Sequence, residues 1–150
     1  MEVYISNRQN LKLNLKFIKN FVLKVLEEIE ETKNKEVELS IVLVDNKKIR
    51  EINKKFRKVD APTDVIAFPQ DFSEGEINSS CIPLVLGDIV ISVEMAKKQA
   101  RDYKIPFEKE ILNLLIHGIL HLLGYEDNTK IKREKMLKKQ EEILKKIYFK

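Results

Sequence analysis

The sequence predicts an α+β fold, with a small mixed sheet of about four strands and about five helices packed around one central, strongly apolar helix. Three observations carry this. Apolar runs with strand-like patterning fall at residues 3–6, 37–44, 65–68 and 84–91. Between and after them, apolar residues recur at helical spacing. The resulting order is β, α, β, α, β, β, α, α, α. It suggests a single α+β layer fold, one small mixed sheet with helices packed around it.

The first strand runs from Val3 to Ser6. From Leu13 to about Thr32, the residues Phe17, Ile18, Phe21, Val22, Val25, Leu26 and Ile29 form one stripe of an amphipathic helix, with its lysines outside. Val37, Leu39, Ile41 and Leu43 alternate with other residues, while Val42 and Val44 fill the second face, so this strand belongs inside the sheet. Asp45 is placed to cap a short helix that carries Ile49, Ile52 and Phe56 inward. Asp60-Ala61-Pro62-Thr63 breaks that helix, and Val65 to Phe68 forms a strand closed by Pro69. Residues 70–83 are polar, contain Gly75 and end in Pro83, the composition of a loop or a decorated hairpin. Leu84 to Ile91 is a strong strand, after which Ser92 caps a helix to about Tyr103. Phe107 to Leu123 is apolar over most of its circumference and is therefore the central helix, ended by Gly124. A basic helix from about Thr129 to Tyr148 follows. No repeat or linker interrupts this order, and residues 1–150 read as a single domain.

Composition narrows the function classes. The 150 residues are 43% hydrophobic, enough for one packed core. Four glycines and four prolines exclude collagen-like and low-complexity architectures. The single cysteine, Cys81, excludes a disulfide framework and a Cys-rich zinc module, reads as inert within its loop, and predicts a reducing, cytoplasmic setting. The first ten residues lack the layout of a secretory leader, and no apolar run approaches the roughly 20 residues that span a bilayer, so a soluble protein without membrane association is expected. A net charge of +4 permits an anionic partner such as RNA without demanding one.

The chemistry concentrates on the central helix. The only two histidines, His117 and His121, stand four apart, so both imidazoles leave the same face. Neutral imidazoles at this spacing can share a divalent cation at about 2.0–2.1 Å. After Gly124 turns the chain, Asp127, or its neighbour Glu126, offers an oxygen as third ligand. The bland alternatives are two hydrogen-bonded core histidines and an acid that favours the start of the last helix. Two nitrogens and one oxygen leave a coordination position open, the mark of a catalytic rather than a structural zinc site. The zinc-peptidase motif needs a glutamate directly after the first histidine; here that position is Gly118, which removes the proton acceptor and is expected to leave open space beside the metal.

The segment His117-Gly118-Ile119-Leu120-His121-Leu122-Leu123-Gly124-Tyr125-Glu126-Asp127 resembles the signature of the YbeY family of metal-dependent endoribonucleases, His-Gly-x-Leu-His-Leu-x-Gly-Tyr-Asp-His. Asn53 to Arg57, followed by Asp60-Ala61-Pro62-Thr63-Asp64-Val65-Ile66-Ala67-Phe68-Pro69, is similar to the family's Asn-x3-Arg and Pro-Thr-Asp-Val-Leu-Ser-Phe-Pro stretches. Leu86-Gly87-Asp88-Ile89 is similar to its Leu-Gly-Asp-Ile strand. The chain departs from the family at Asp127, where the family usually has His, and at Ala67, where it usually has Ser.

The resemblance implies single-strand-specific RNA cleavage in the maturation of ribosomal RNA, at the 3′ end of the small-subunit RNA, and in ribosome quality control. The implied partners are single-stranded RNA and the ribosome or its small subunit with its proteins. It implies one zinc per chain on His117, His121 and Asp127; two histidines and a carboxylate also suit iron(II), and nickel(II) is a further candidate. It places an important arginine at Arg57, whose planar guanidinium can hold two phosphate oxygens at once. Lys54, Lys55 and Lys58 belong to a run of basic residues from Lys47 to Lys58 that would attract RNA phosphates or form a solvated face. Asp64 and Asp88 would orient the metal-binding histidines or anchor strand ends, and Glu126 is a further candidate for an orienting role. The general base is open among hydroxide on the metal, Glu126 and the substrate's own 2′-hydroxyl. Tyr125 would stack on a base or pack over the helix end. The rival functions are a ribosome-assembly factor with a purely structural metal and a metallopeptidase-like hydrolase.

Overall fold

The structure, a computed structural model, describes residues 1–70 and 83–148. The loop expected at residues 70–83, with Cys81, falls almost wholly outside the described residues. The elements are β1 (Glu2–Asn7), α1 (Leu15–Glu28), β2 (Val37–Val44), α2 (Asn46–Arg57), β3 (Val65–Pro69), β4 (Leu84–Ser92), α3 (Val93–Tyr103), α4 (Phe107–Leu122) and α5 (Lys130–Tyr148). Among the described residues the fold is the predicted α+β arrangement, a mixed four-stranded sheet with five helices. Strand order is β1-β2-β4-β3, with β1, β2 and β4 parallel and β3 antiparallel at the edge. Among the described residues, no helix is long and apolar enough to cross a membrane.

The alternation read from β2 explains its central place. Leu39, Ile41 and Leu43 enter the main core with α1, α4 and α5, whereas Val42 and Val44 meet Ile49 of α2 in a second, smaller cluster on the other face. β4 divides likewise, with Ile89 and Ile91 on the α4 face and Val90 on the α2 face. The burial of Ile111, Leu112, Leu115, Ile116, Ile119 and Leu120 makes α4 the central helix its composition predicted.

Boundaries differ from the sequence reading where polar groups cap helices. Asn14 Oδ1 accepts from Phe17 N at 3.1 Å, so α1 starts at Leu15 rather than Leu13. At its other end Ile29 is already extended, and the buried Thr32 hydroxyl donates to Leu26 O at 2.6 Å, satisfying a carbonyl the helix leaves free. Phe56 does not point inward. It is 59% exposed, because α2 is short and spends its inward stripe on Ile49, Ile52 and the amide of Asn53. Asn53 Nδ2 donates to Ala61 O at 2.9 Å, tying the turn after α2 back onto the helix.

Two glycines fix how the sheet meets its neighbours. Gly87 has φ +133°, and a Cβ there would lie 2.1 Å from Phe68 O, so only glycine lets β3 pair this closely. It adjoins a β-bulge, where Glu38 pairs with Val85 but Leu39 pairs with Gly87. Gly118 does not open space beside a metal. A Cβ there would come within 2.9 Å of the Ile89 side chain, so this glycine lets α4 settle onto β4. Gly118→Ala should therefore cost about 1–3 kcal/mol in urea unfolding, and the added truncation Ile89→Val should recover part of that loss.

Candidate metal centre

His117 and His121, one turn apart on α4, bring their Nε2 atoms to 3.1 Å, with ring centroids 4.6 Å apart. The helix then stops. Leu123 N, Gly124 N and Tyr125 N donate to the free carbonyls of Ile119, His121 and Leu120, and Gly124 adopts φ +98°. This reversal returns Asp127 to the histidines, its Oδ2 lying 3.5 Å from His121 Nε2 and 4.0 Å from His117 Nε2. Three donor atoms from an eleven-residue stretch thus face one point, and among the described residues no fourth His, Cys, Asp or Glu joins them.

The donor set fits a divalent cation. A point equidistant from the three atoms lies roughly 2.1 Å from each, the length of a zinc–imidazole or zinc–carboxylate bond. Burial holds the His117 imidazole below its ordinary pKa, and the neighbouring His121 pushes the same way, which keeps the ring neutral and its lone pair available. His117 Nδ1 lies 3.1 Å from Gln140 Oε1 on α5. The amide oxygen accepts the Nδ1 proton, leaving Nε2 with the lone pair that faces Asp127 and His121. Nothing local in the sequence marked Gln140, which sits amid lysines twenty-three residues beyond its partner.

A cavity of about 570 Å³ opens over these atoms. Its wall combines the α4 terminus with Arg57 at the end of α2, with Thr63 and Asp64 from the turn that follows, and with Val65, Ala67 and Pro69 of β3. Arg57, Asp64, Tyr125 and Glu126 thus share one cavity with the three donors. Asp64 reaches neither imidazole by hydrogen bond. Its Oδ1 accepts from Val65 N at 2.7 Å and its Oδ2 from Gln99 Nε2 at 3.3 Å, so it anchors the start of β3, the second of the roles expected for it. Asp88 is exposed on the α2 face of β4, opposite to Ile89, and alternation along the strand carries it away from the histidines it was expected to orient.

Glu126 Oε2 accepts from Lys132 Nζ at 2.6 Å, and this contact holds its carboxyl below the ordinary value. Tyr125 packs against the main core, and its hydroxyl is pushed up by burial and by the nearby Glu31 and Glu142. Lys54, Lys55 and Lys58 are exposed at the end of α2, with Lys58 in the left-handed conformation that ends the helix.

Comparison with known proteins gives one answer. Residues 4–148 match the family model described as Endoribonuclease YbeY. A protein named Endoribonuclease YbeY from Acetivibrio thermocellus is 49% identical over 116 residues, covering 72% of each chain. One of the same name from Clostridium botulinum is 38% identical over 164 residues, covering 95% of this chain and 96% of that one. The solution structure of TM1509 from Thermotoga maritima superposes with a TM-score of 0.60 at 32% identity, over 96% of this chain and 90% of that chain.

Proposed function

The chain belongs to the endoribonuclease YbeY family, and from that premise we propose that it hydrolyses single-stranded RNA with one divalent cation, zinc in the first instance, held by His117, His121 and Asp127. The observation that carries this reading is the convergence of those three donor atoms, with no fourth among the described residues, in a cavity that Arg57 also lines. Iron(II) and nickel(II) are the alternatives such a donor set admits. A bound divalent cation supplies Lewis acidity, which lowers the pKa of water and polarises a phosphodiester oxygen.

The protein's own groups do the rest. Gln140 holds the His117 ring in the tautomer that presents Nε2. Arg57 meets the non-bridging oxygens of the scissile phosphate and stabilises the charge that grows there during cleavage. Lys54, Lys55 and Lys58 draw the RNA backbone towards the cavity, with the salt dependence this entails. Glu126, engaged by Lys132, is a poor proton acceptor. The rival readings are weaker. A structural metal calls for a closed ligand set, and the peptidase base has no place at position 118, which is packed against Ile89. In the cell, the reading takes the whole chain as one domain acting in the cytoplasm on ribosomal RNA. Its target is the 3′ end of the small-subunit RNA, on or near that subunit, in maturation and quality control. The family and the basic end of α2 support this.

Metal analysis of the purified protein, paired with cleavage of single- and double-stranded RNA before and after chelation, tests the proposal. One equivalent of metal, with single-strand cleavage lost on chelation and restored by zinc, is expected. Cleavage indifferent to chelation would overturn it. Gln140→Leu should weaken zinc binding by about 10–100-fold in a competition titration while leaving the fold intact, since it frees the His117 ring without removing a ligand.

A further inference from the structure

Phe56 is 59% exposed at an otherwise charged helix end, although water disfavours a bare ring there. Its ring meets Phe68 of β3 edge to face, centroids 5.4 Å apart at 73°. Lys55 Nζ lies 5.2 Å from the Phe56 centroid. Each phenylalanine is a sequence neighbour of residues that line the cavity, and neither lines it itself. Phe56 directly precedes Arg57, and Phe68 lies between Ala67 and Pro69, all three of which line it. Phe68 packs with the α2-side cluster, so the aromatic pair sits across the edge strand from the donor triangle. Lys54, Lys55 and Lys58 are exposed within two residues of Phe56 and make no ion pair among the described residues, whereas Lys48 and Arg50 of the same helix pair with Glu51 and Asp60.

We infer that Phe56, backed by Phe68, is a stacking platform for an unpaired base beside the scissile phosphate, and that it gives this site its selectivity for single strands. The inference rests on the proposed nuclease reading and deepens it. An exposed ring accepts any base through its π-face, at about 1–3 kcal/mol per base. In a duplex that face is already covered by neighbouring bases, so the same ring selects unpaired nucleotides. A nucleotide also answers the charges around the ring, because its phosphate can take the Lys55 ammonium while its base takes the ring. A protein partner fits less well, since interface cores are poor in lysine and this ring already carries the Lys55 ammonium, with Lys54 and Lys58 exposed on the same short stretch.

The chain has no tryptophan, so Phe56→Trp creates a sole fluorescent reporter at the platform. The probe is an oligoribonucleotide carrying 2′-O-methyl groups, single-stranded or as a blunt duplex, added to the full chain with zinc. Quenching by the single strand but not by the duplex is expected. Phe56→Ala should weaken single-strand binding about tenfold or more at unchanged metal content. Tyr103→Ala, which removes another exposed ring at the end of α3, should change nothing. Unquenched tryptophan with binding intact would overturn the platform. So would a Phe56→Ala variant that alters self-association and leaves RNA affinity untouched. If the wild type binds and quenching occurs but no RNA is cut, the platform stands and the nuclease reading falls. If RNA is cut and Phe56→Ala binds like the wild type, the platform alone falls.

Discussion

His117→Ala should abolish stoichiometric metal binding and reduce single-strand RNA cleavage by at least about a thousandfold, well beyond the 10–100-fold typical of residues that only orient a ligand. The site has three donors among the described residues, and removing one leaves His121 Nε2 and Asp127 Oδ2, at 3.5 Å, too few to fix a cation's geometry. The fold should survive. His117 is half-buried on a helix whose core stripe runs through Ile116, Ile119 and Leu120, and alanine is the best helix former. Metal content by elemental analysis, far-UV circular dichroism and a cleavage assay separate these effects. A variant that keeps one equivalent of metal and wild-type cleavage would end the assignment of the triad.

Much of the fold and the convergence of the three donors was legible because each rests on local spacing. Alternation in 37–44 placed β2 inside the sheet, and a four-residue interval put both imidazoles on one face of α4. A glycine at a helix end turned Asp127 back within reach. What was not legible depends on contacts between distant elements. Gln140 reaches His117 only because α5 folds back over α4, and no periodicity encodes that meeting. Gly118 looked like free space beside a ligand, yet its missing side chain makes room for Ile89 on another element. The orienting role, one of the two read for Asp88, does not fit its place in β4 because a strand's two faces are equivalent until the sheet chooses which helix lies on which side. Phe56 read as core because its spacing from Ile49 and Ile52 is helical, but the second core is small and is filled before that turn.

Arg57→Ala should lower kcat/KM for single-stranded RNA by about a hundred- to a thousandfold, at unchanged metal content and unchanged unfolding midpoint. Arg57 is exposed at the last turn of α2 and makes no ion pair among the described residues, so the fold does not depend on it. Its place is nevertheless fixed. Asn53, one turn earlier, binds Ala61 O and holds the helix end against the turn that leads to Thr63 and Asp64 on the cavity wall. The loss should fall mainly on kcat, because the charge the guanidinium meets is greatest in the transition state. Arg57→Lys should recover only a small part of it, since an ammonium keeps the charge but cannot grip two oxygens in one plane. Full rescue by lysine would reduce Arg57 to one more attraction for the RNA backbone, and its effect would then shrink with added salt, as the role proposed for Lys54 and Lys58 requires of theirs. Measuring kcat and KM separately for the three side chains at two salt concentrations distinguishes a transition-state contact, read in kcat and insensitive to salt once RNA is bound, from a steering charge, read in KM.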